Sequence, residues 1–290
     1  MENTETVGQL LKRWRERRRR SQLDLALAAE ISTRHLSFVE TGRARPSREM
    51  ILRLAGELEI PLRERNRLLN AGGYAPAYTA KSLDDREMEA ARRAIDLILE
   101  GHEPFPAIAV DRRWQMLAAN RTVFLLLEGV APPLLAPPVN VLRLSLHPEG
   151  LAPRIVNFAE WRAHLLARLA RQIEATADEA LETLLEELRT YQIPRVAREY
   201  SGAGDASIVV PLRIETAFGR LALISTTTVF GTPRDVTLAE IALETFFPAD
   251  RATAEIFHRL GYSPAAREPV RAEKGRPLDL PAGRGVGRIE

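Results

Sequence analysis

The stretch SQLDLALAAEISTRHLSFVE, Ser21 to Glu40, restricts the fold more than any other part of the chain. Ser21 stands where a helix cap is needed, with Asp24 placed to return its hydrogen bond, and Ser32 can cap a second helix. The spacing predicts two short helices joined by a tight turn. In the first, Leu23, Ala26 and Leu27 are expected to face inward. In the second, Leu36 and Val39 lie three apart and form a narrow buried stripe, which leaves Thr33, Arg34, Ser37 and Phe38 on the opposite flank. An element that enters a major groove must pack its back on a small domain and offer short donors to base edges. The pattern meets both demands, so a helix-turn-helix and DNA binding are expected.

Charge is distributed in keeping with that reading. The 290 residues carry a net charge of only +2, but residues 1–70 hold 15 Lys and Arg against 10 Asp and Glu. Residues 71–264 hold 20 against 25. Positive potential is thus concentrated where a polyanion would be met, as phosphate neutralisation requires. The length suits two domains, and the absence of cysteine removes disulfides and thiolate metal sites, in keeping with a cytoplasmic, nucleoid-associated chain. The longest apolar run, Val123 to Leu142, is broken by Glu128 and four prolines, too interrupted for a membrane span.

Around the central pair, Val7 to Arg20 reads as a helix with Leu10, Leu11 and Trp14 on one face and four arginines, Arg17 to Arg20, at its end. Those arginines can serve the helix dipole, lie against phosphates or solvate a face; Arg17 and Arg18 are the candidates for backbone contact. Thr41-Gly42 stops the second helix, Arg43 to Pro46 forms a basic loop, Ser47 caps a fourth helix and Pro61 opens a fifth that ends at Gly72-Gly73.

This order of features resembles the Xre-type helix-turn-helix domain shared with phage repressors, on Ser21-Gln22, Leu36, Val39, Glu40 before Thr41-Gly42, and Arg45-Pro46-Ser47. The resemblance implies an all-α five-helix domain over residues 1–73. It also implies that Gln22 grips a phosphate and can touch a base, and that Thr33, Arg34, Ser37 and Phe38 read sequence; Ser32 at the head of that helix is a further DNA-binding candidate, and Arg43 and Arg45 in the basic loop are expected to face phosphate. Arg34 is either a bidentate guanine reader or a phosphate contact; Phe38 either meets a thymine methyl or packs beneath the basic loop. Arg15 is expected to pair internally with Glu40. The sequence departs from the class at Glu30, where glycine is usual and positive φ would cost roughly 1 kcal/mol, and at Arg20, where an apolar residue is usual.

Residues 74–103 read as a linker followed by an amphipathic helix, Leu83 to Glu100, with Met88, Ala91, Ile95 and Leu99 on one stripe, fit for core packing or a dimer seam. Beyond it, PAIAVDRRWQMLAAN predicts two short strands around Asp111-Arg112-Arg113, with Trp114, Met116 and Ala118 alternating and Asn120 capping a helix that contains Phe124 and Leu127. SIVVPLRI and GRLALISTTTVF predict strands joined by a turn at Thr216 to Gly219. These elements describe an α+β domain over residues 104–262, similar at its start to a PAS domain. Residues 263–290, rich in Pro, Gly and Arg, are expected to be disordered.

NVLRLSLHPEGLAPRIVN, the helix from Trp161 to Thr176, STTTVFGTPRDVTLAEIALETFFPAD and, in the first domain, STRHLSFVETGRARPSREM together resemble the MmyB-like bacterial transcription regulators. That resemblance spans about residues 7–258. It implies an Xre-type domain followed by a PAS-like pocket for a small, largely apolar ligand, a fatty acid foremost, with no further cofactor. A carboxylate would need cationic or titratable donors at the mouth, for which Arg143, His147, Arg154 and Arg162 are candidates, and an apolar lining, for which Trp114, Phe124, Leu144, Trp161 and Leu165 are candidates. Plain core packing is the alternative for each aromatic. Catalysis is not expected. His35, His102, His147, His164 and His258 are scattered, and neither HExxH nor a Walker or GxGxxG loop occurs. The expected partners are a palindromic double-stranded operator, a small apolar ligand and a second copy of the chain, with no membrane. The alternative is a DNA-binding scaffold whose second domain mediates protein contacts.

Overall fold

The computed structural model describes residues 5–192, 209–231, 233, 235–261 and 270–271. Two compact units share the chain, residues 1–82 with 232–239, and residues 83–231 with 240–290.

The first unit carries five helices, α1 (Val7–Arg17), α2 (Gln22–Ala28), α3 (Thr33–Glu40), α4 (Arg48–Glu57) and α5 (Leu62–Ala71). Their starts follow the expected chemistry. Thr6 with Gln9, and Ser21 with Asp24, form reciprocal capping boxes, while Ser32 and Ser47 accept the amide three residues on. Leu10, Leu11, Trp14, Leu36, Val39, Ile51, Leu54 and Leu68 make the buried interior. Gly8 lets α1 approach the end of α3. A Cβ there would stand 2.2 Å from the Val39 carbonyl oxygen, so no other residue fits without moving a helix.

Three expectations are corrected here. Helix α1 stops at Arg17, because Arg19 turns left-handed at φ 54°. On α2 the buried positions are Leu25 and Ala26, followed by Ala29, while Leu23 and Leu27 are 65% and 78% exposed. The inward phase is thus set by the one-plus-four pair that meets α3 and α4, and the two leucines are turned to solvent. The third concerns the segment read as a linker, which is packed on the helices. Asn66 accepts the Ala77 and Tyr78 amides and donates to the Tyr78 carbonyl, and the Tyr74 hydroxyl donates to Pro46. A short helix, α11 (Val236–Ala239), completes this unit, anchored by Asp235, whose carboxylate takes the Thr79 hydroxyl at 2.7 Å and the Lys81 amide at 3.3 Å.

The second unit begins with α6 (Glu89–Gly101), whose stripe of Met88, Ile95 and Leu99 is buried. Strands β1 (Ala107–Val110) and β2 (Met116–Ala119) follow, then α7 (Arg121–Phe124), α8 (Val141–Leu146), α9 (Phe158–Thr176) and α10 (Glu179–Thr190). The chain closes with β3 (Leu212–Thr216), β4 (Gly219–Val229), β5 (Ala242–Pro248) and α12 (Arg251–Gly261). Strand order is β3-β4-β5-β1-β2, antiparallel throughout, with the two-residue β6 (Val270–Arg271) beside β2. The result is the α+β PAS-like domain that the strand pattern predicts. The expected turn at Thr216 to Gly219 is present, with Gly219 at φ 117°. Strand β3 starts only at Leu212, and residues 207–208 of the expected strand lie outside the described residues. Val270 and Arg271 pair with Ala119 and Ala118, so this part of the tail is a strand; the rest of 263–290 lies outside the described residues.

Asn120 is also used differently from the expectation. It occupies the cap position of α7, but its side chain makes no cap bond, and α7 ends before Leu127. Instead its oxygen accepts the Ala107 amide at 3.1 Å, and its amide donates to the carbonyls of Leu99 and Phe105 at 3.2 and 2.8 Å. At 1% exposure it ties the end of α6 to the start of β1.

Candidate functional site

Two sites emerge, one in each unit. The first is the outer flank of α3. Leu36 and Val39 hold the helix by its back, 0% and 1% exposed, and leave Arg34 exposed and Thr33, Ser37 and Phe38 half-buried. The turn ahead of it depends on Glu30, which takes the left-handed conformation at φ 55° although it is not glycine. Ser32 Oγ accepts the His35 amide at 3.1 Å and so is committed to the cap. The Arg34 guanidinium lies 5.3 Å from the centre of the Phe38 ring, a cation–π contact that holds the charge against the helix surface. The amides of Arg43 and Ala44 both donate to the Phe38 carbonyl, at 2.8 and 3.0 Å, which fixes the basic loop to the end of α3 and leaves Arg43 exposed.

A buried ion pair sets the attitude of α3. Arg15 donates from Nε to Glu40 Oε1 at 2.7 Å and from Nη2 to Oε2 at 2.9 Å. Its Nη1 meets the Arg20 carbonyl at 2.9 Å. Gln22 donates its amide to Glu40 Oε2 at 2.7 Å. The Glu40 hydrogen bond holds the Arg15 guanidinium above its ordinary pKa against the opposing effect of burial. One carboxylate therefore fastens the last residue of α3 to α1 and to the first residue of α2, and this is the internal pair the resemblance implies.

The second site is a cavity of about 90 Å³ between the sheet and the helices of the second unit. Ile108, Met116 and Phe246 line it from the strands, Leu144 from α8, and Trp161, Leu165 and Arg168 from α9. Trp114 enters from the turn between β1 and β2, itself at φ 63° and braced by Asp111, whose Oδ1 accepts the amides of Arg113 and Gln115 at 2.8 Å each. Burial pushes the Asp111 carboxyl up, against those two amides and the neighbouring arginines. Both indoles have their N–H groups satisfied, Trp114 by Gln172 Oε1 at 2.7 Å and Trp161 by Ser145 Oγ at 3.0 Å, so the cavity meets their carbon surface. The charged residues of the lining are Arg168 and Glu244, and they face each other.

Residues 91–260, more than half of the chain, match the family described as MmyB-like transcription regulator ligand binding domain. The chain belongs to the MmyB-like transcription regulators. Residues 11–65 match the helix-turn-helix family. No curated protein matches the chain as a relative. The chain is thus a DNA-binding transcription regulator with a domain for a small-molecule ligand.

Set against that function, the predicted residues divide. Thr33, Arg34, Ser37 and Phe38 share the outer flank of α3, with Arg43 beside it. Gln22 is tied to Glu40, and Ser32 to its cap. Arg18 donates to the Leu58 and Glu59 carbonyls at 3.0 and 3.3 Å and lies over Trp14. Arg45 donates to the Gly72 carbonyl at 3.0 Å and lies over Tyr74. These two guanidiniums cap the ends of α4 and α5, as Arg20 does at Glu57. Arg17 is half-buried at the end of α1.

Of the residues proposed as a lining, Trp114, Leu144, Trp161 and Leu165 border this cavity, while Phe124 is in the core with its neighbour Val123 on the wall. The predicted donors lie elsewhere. Arg143 is bidentate to Glu187, a bond that raises its pKa, and Glu187 also accepts the Tyr191 hydroxyl at 2.5 Å. Burial, with that hydrogen bond, pushes the Tyr191 phenol up to about 12. His147 Nδ1 accepts the Glu149 amide. Arg154 donates to the Leu126 carbonyl, and burial lowers its pKa. Arg162 donates to the carbonyls of Leu188 and Arg189. Arg168 was missed, although Trp161, Leu165 and Arg168 follow the four-then-three spacing of one helix face. Glu244 had no comparable signal, because only the strand register brings it to the cavity.

Proposed function

We propose that this regulator acts in the cytoplasm as a homodimer on a palindromic operator, with α3 in the major groove. A small, largely apolar ligand of the fatty-acyl kind, held in the cavity of the PAS-like domain, changes the affinity for that operator. The carrying observation is the cavity itself, walled by Trp114, Leu144, Trp161 and Leu165 in a chain whose other unit is a helix-turn-helix. Two further features support the reading. Strands β4 and β5 bring Ser225, Glu244 and Phe246 to the cavity, and the stretch of chain between these strands, 232–239, belongs to the DNA-binding unit. A ligand that alters the spacing of the two strands therefore has a covalent route to the reading head. On α6, Leu97 is 70% and Ile98 39% exposed, an apolar pair suited to a seam with a second copy. Coupling requires only that the ligand bind the DNA-competent and incompetent arrangements with different affinity.

Selection of random duplexes by the full chain at low ionic strength should return an inverted repeat with half-sites about 34 Å apart, or a multiple of that spacing. Native mass spectrometry of the same protein should show a bound apolar molecule whose removal shifts the affinity for the selected site. An absence of any enriched sequence would sink the reading. Enrichment without a bindable small molecule would point to a scaffold.

A further inference from the structure

Glu244 is 3% exposed and stands on β5 opposite Thr227 of β4. Arg168 reaches it from α9, Nη1 donating to Oε2 at 2.9 Å and Nη2 to Oε1. Thr227 Oγ1 lies 3.0 Å from Glu244 Oε1 and takes an Arg168 Nη2 hydrogen at 2.6 Å. The guanidinium also lies 4.6 Å from the centre of the Trp114 ring. Both ionic groups line the cavity, next to Ser225 and otherwise among apolar walls. The polar end of the cavity is therefore electrically balanced before any ligand arrives.

That balance discriminates between head groups. A carboxylate placed here finds the arginine already neutralised and sets a second negative charge beside Glu244. In a poorly solvated site one of two such carboxylates must take up a proton or leave. Expelling Glu244 would break a bidentate pair whose carboxylate side chain is only 4% exposed and leave Arg168 without its counter-charge. A neutral head meets no such conflict. Arginine has five N–H donors, more than Glu244 and Thr227 engage, so a carbonyl or hydroxyl oxygen can accept from those left over. An amide N–H or a hydroxyl can donate to Glu244.

We infer that the cavity selects an aliphatic molecule with a neutral hydrogen-bonding head, an alcohol or a primary amide, over the free carboxylate of the same chain, with Glu244 as the specificity-determining residue. The inference rests on the reading of the cavity as the ligand site.

Calorimetric titration of the delipidated full chain with decanol, decanamide and decanoate, at about pH 7.5 where the acid is ionised, tests both separately. The two neutral compounds should bind roughly tenfold or more tighter than decanoate. Glu244→Gln keeps the shape but leaves Arg168 uncompensated, and should reverse the order, decanoate gaining roughly tenfold or more while decanamide changes far less. Should that variant fail to fold, Arg168→Met combined with Glu244→Leu removes the pair together and, with neither charged partner left for the head, should weaken decanol and decanamide roughly tenfold. Decanoate equal to or tighter than decanamide in the native protein overturns the inference and leaves the site standing, as does a head-group order that Glu244→Gln leaves unchanged or an affinity for the neutral compounds that the double variant leaves unchanged. If none of the three binds the native protein or the variants, the site fails and the inference with it.

Discussion

The two sites of this regulator are built on opposite plans. At α3 the side chains aimed outward are nearly consecutive in sequence, and what they need is a helix held at the right angle. In the cavity the paired charges come from α9 and β5, 76 residues apart, and the site exists only because a sheet register and a helix phase agree. A local site can be kept correct by a few anchoring bonds. A distributed one depends on the whole domain, so the two should respond differently to single substitutions.

The hardest blow to the reading head is the loss of its anchor. Glu40→Ala leaves Arg15 with a side chain only 10% exposed and no bidentate partner. Breaking a buried pair by removing one member costs about 3–5 kcal/mol. Glu16, whose carboxylate is 3.8 Å from Arg15 Nη2, can replace part of the lost charge, so the lower end of that range is expected. Urea unfolding of the full chain should show the helical unit melting early while the tryptophans of the second unit report an unmoved transition. Both transitions moving together would mean that the units are not independent in stability. The counterpart in the second unit is Asn120→Ala, which removes three hydrogen bonds at the junction of α6 and β1. About 2–3 kcal/mol is expected, since the Ala107 amide and two carbonyls are left unpaired. Here the loss should appear in the second transition and in ligand affinity.

The same contrast explains what could be read from the sequence. Caps at Ser21, Ser32 and Ser47, the stripe of Leu36 and Val39 and the strand turn at Thr216 to Gly219 are written in residues at most a few positions apart, and they appear as expected. The inward phase of α2 differs from the expected one because the i, i+3, i+4 spacing fits Leu23, Ala26 and Leu27, and spacing alone cannot choose the face. In a helix of seven residues, contact with two neighbours decides the phase, and Leu25 with Ala26 satisfies it at the expense of Leu23 and Leu27. The roles of the arginines could not be fixed from sequence for a related reason. A guanidinium serves a phosphate or a helix C-terminus equally well, and at Arg18 and Arg45 the nearby carbonyls hold it. In the second domain the apolar half of the cavity was visible as large residues at Trp114 and on the faces of α8 and α9. Its polar half was not, since the partner of Arg168 is fixed by the pairing of Thr227 with Glu244 across two strands.

A smaller effect separates reading from bracing. Arg34→Ala should reduce discrimination at one base position by about 1–3 kcal/mol, if the guanidinium grips a base edge in two-point fashion. The melting temperature should hardly move, because Arg34 is exposed and its guanidinium rests against Phe38 on the same helix. Arg18→Ala should do the reverse, lowering stability through the lost bonds to Leu58 and Glu59 while base preference is kept. Binding curves against single-base variants of the selected duplex, read beside thermal melts, would reveal whether the two arginines have been assigned the wrong way round.

The mildest change tests whether the turn before α3 carries strain. Glu30 holds φ at 55°, where the Cβ of an L-residue crowds the following carbonyl at a cost of roughly 1–2 kcal/mol. Glycine there removes that crowding but gives the unfolded chain more freedom, which offsets roughly 0.5–1 kcal/mol. Glu30 is exposed, and its carboxylate takes part in no ion pair among those of the described residues, so little else is lost. Glu30→Gly should therefore stabilise the helical unit by roughly 0.5–1 kcal/mol, a rise of a few degrees in a domain of this size. Operator affinity should stay within a factor of two or so, since α3 is positioned by Glu40 and not by the turn. A melting temperature that falls would show that the turn is held by its side chain, and an altered affinity would show that the turn, as well as the buried pair, sets the angle of the reading helix.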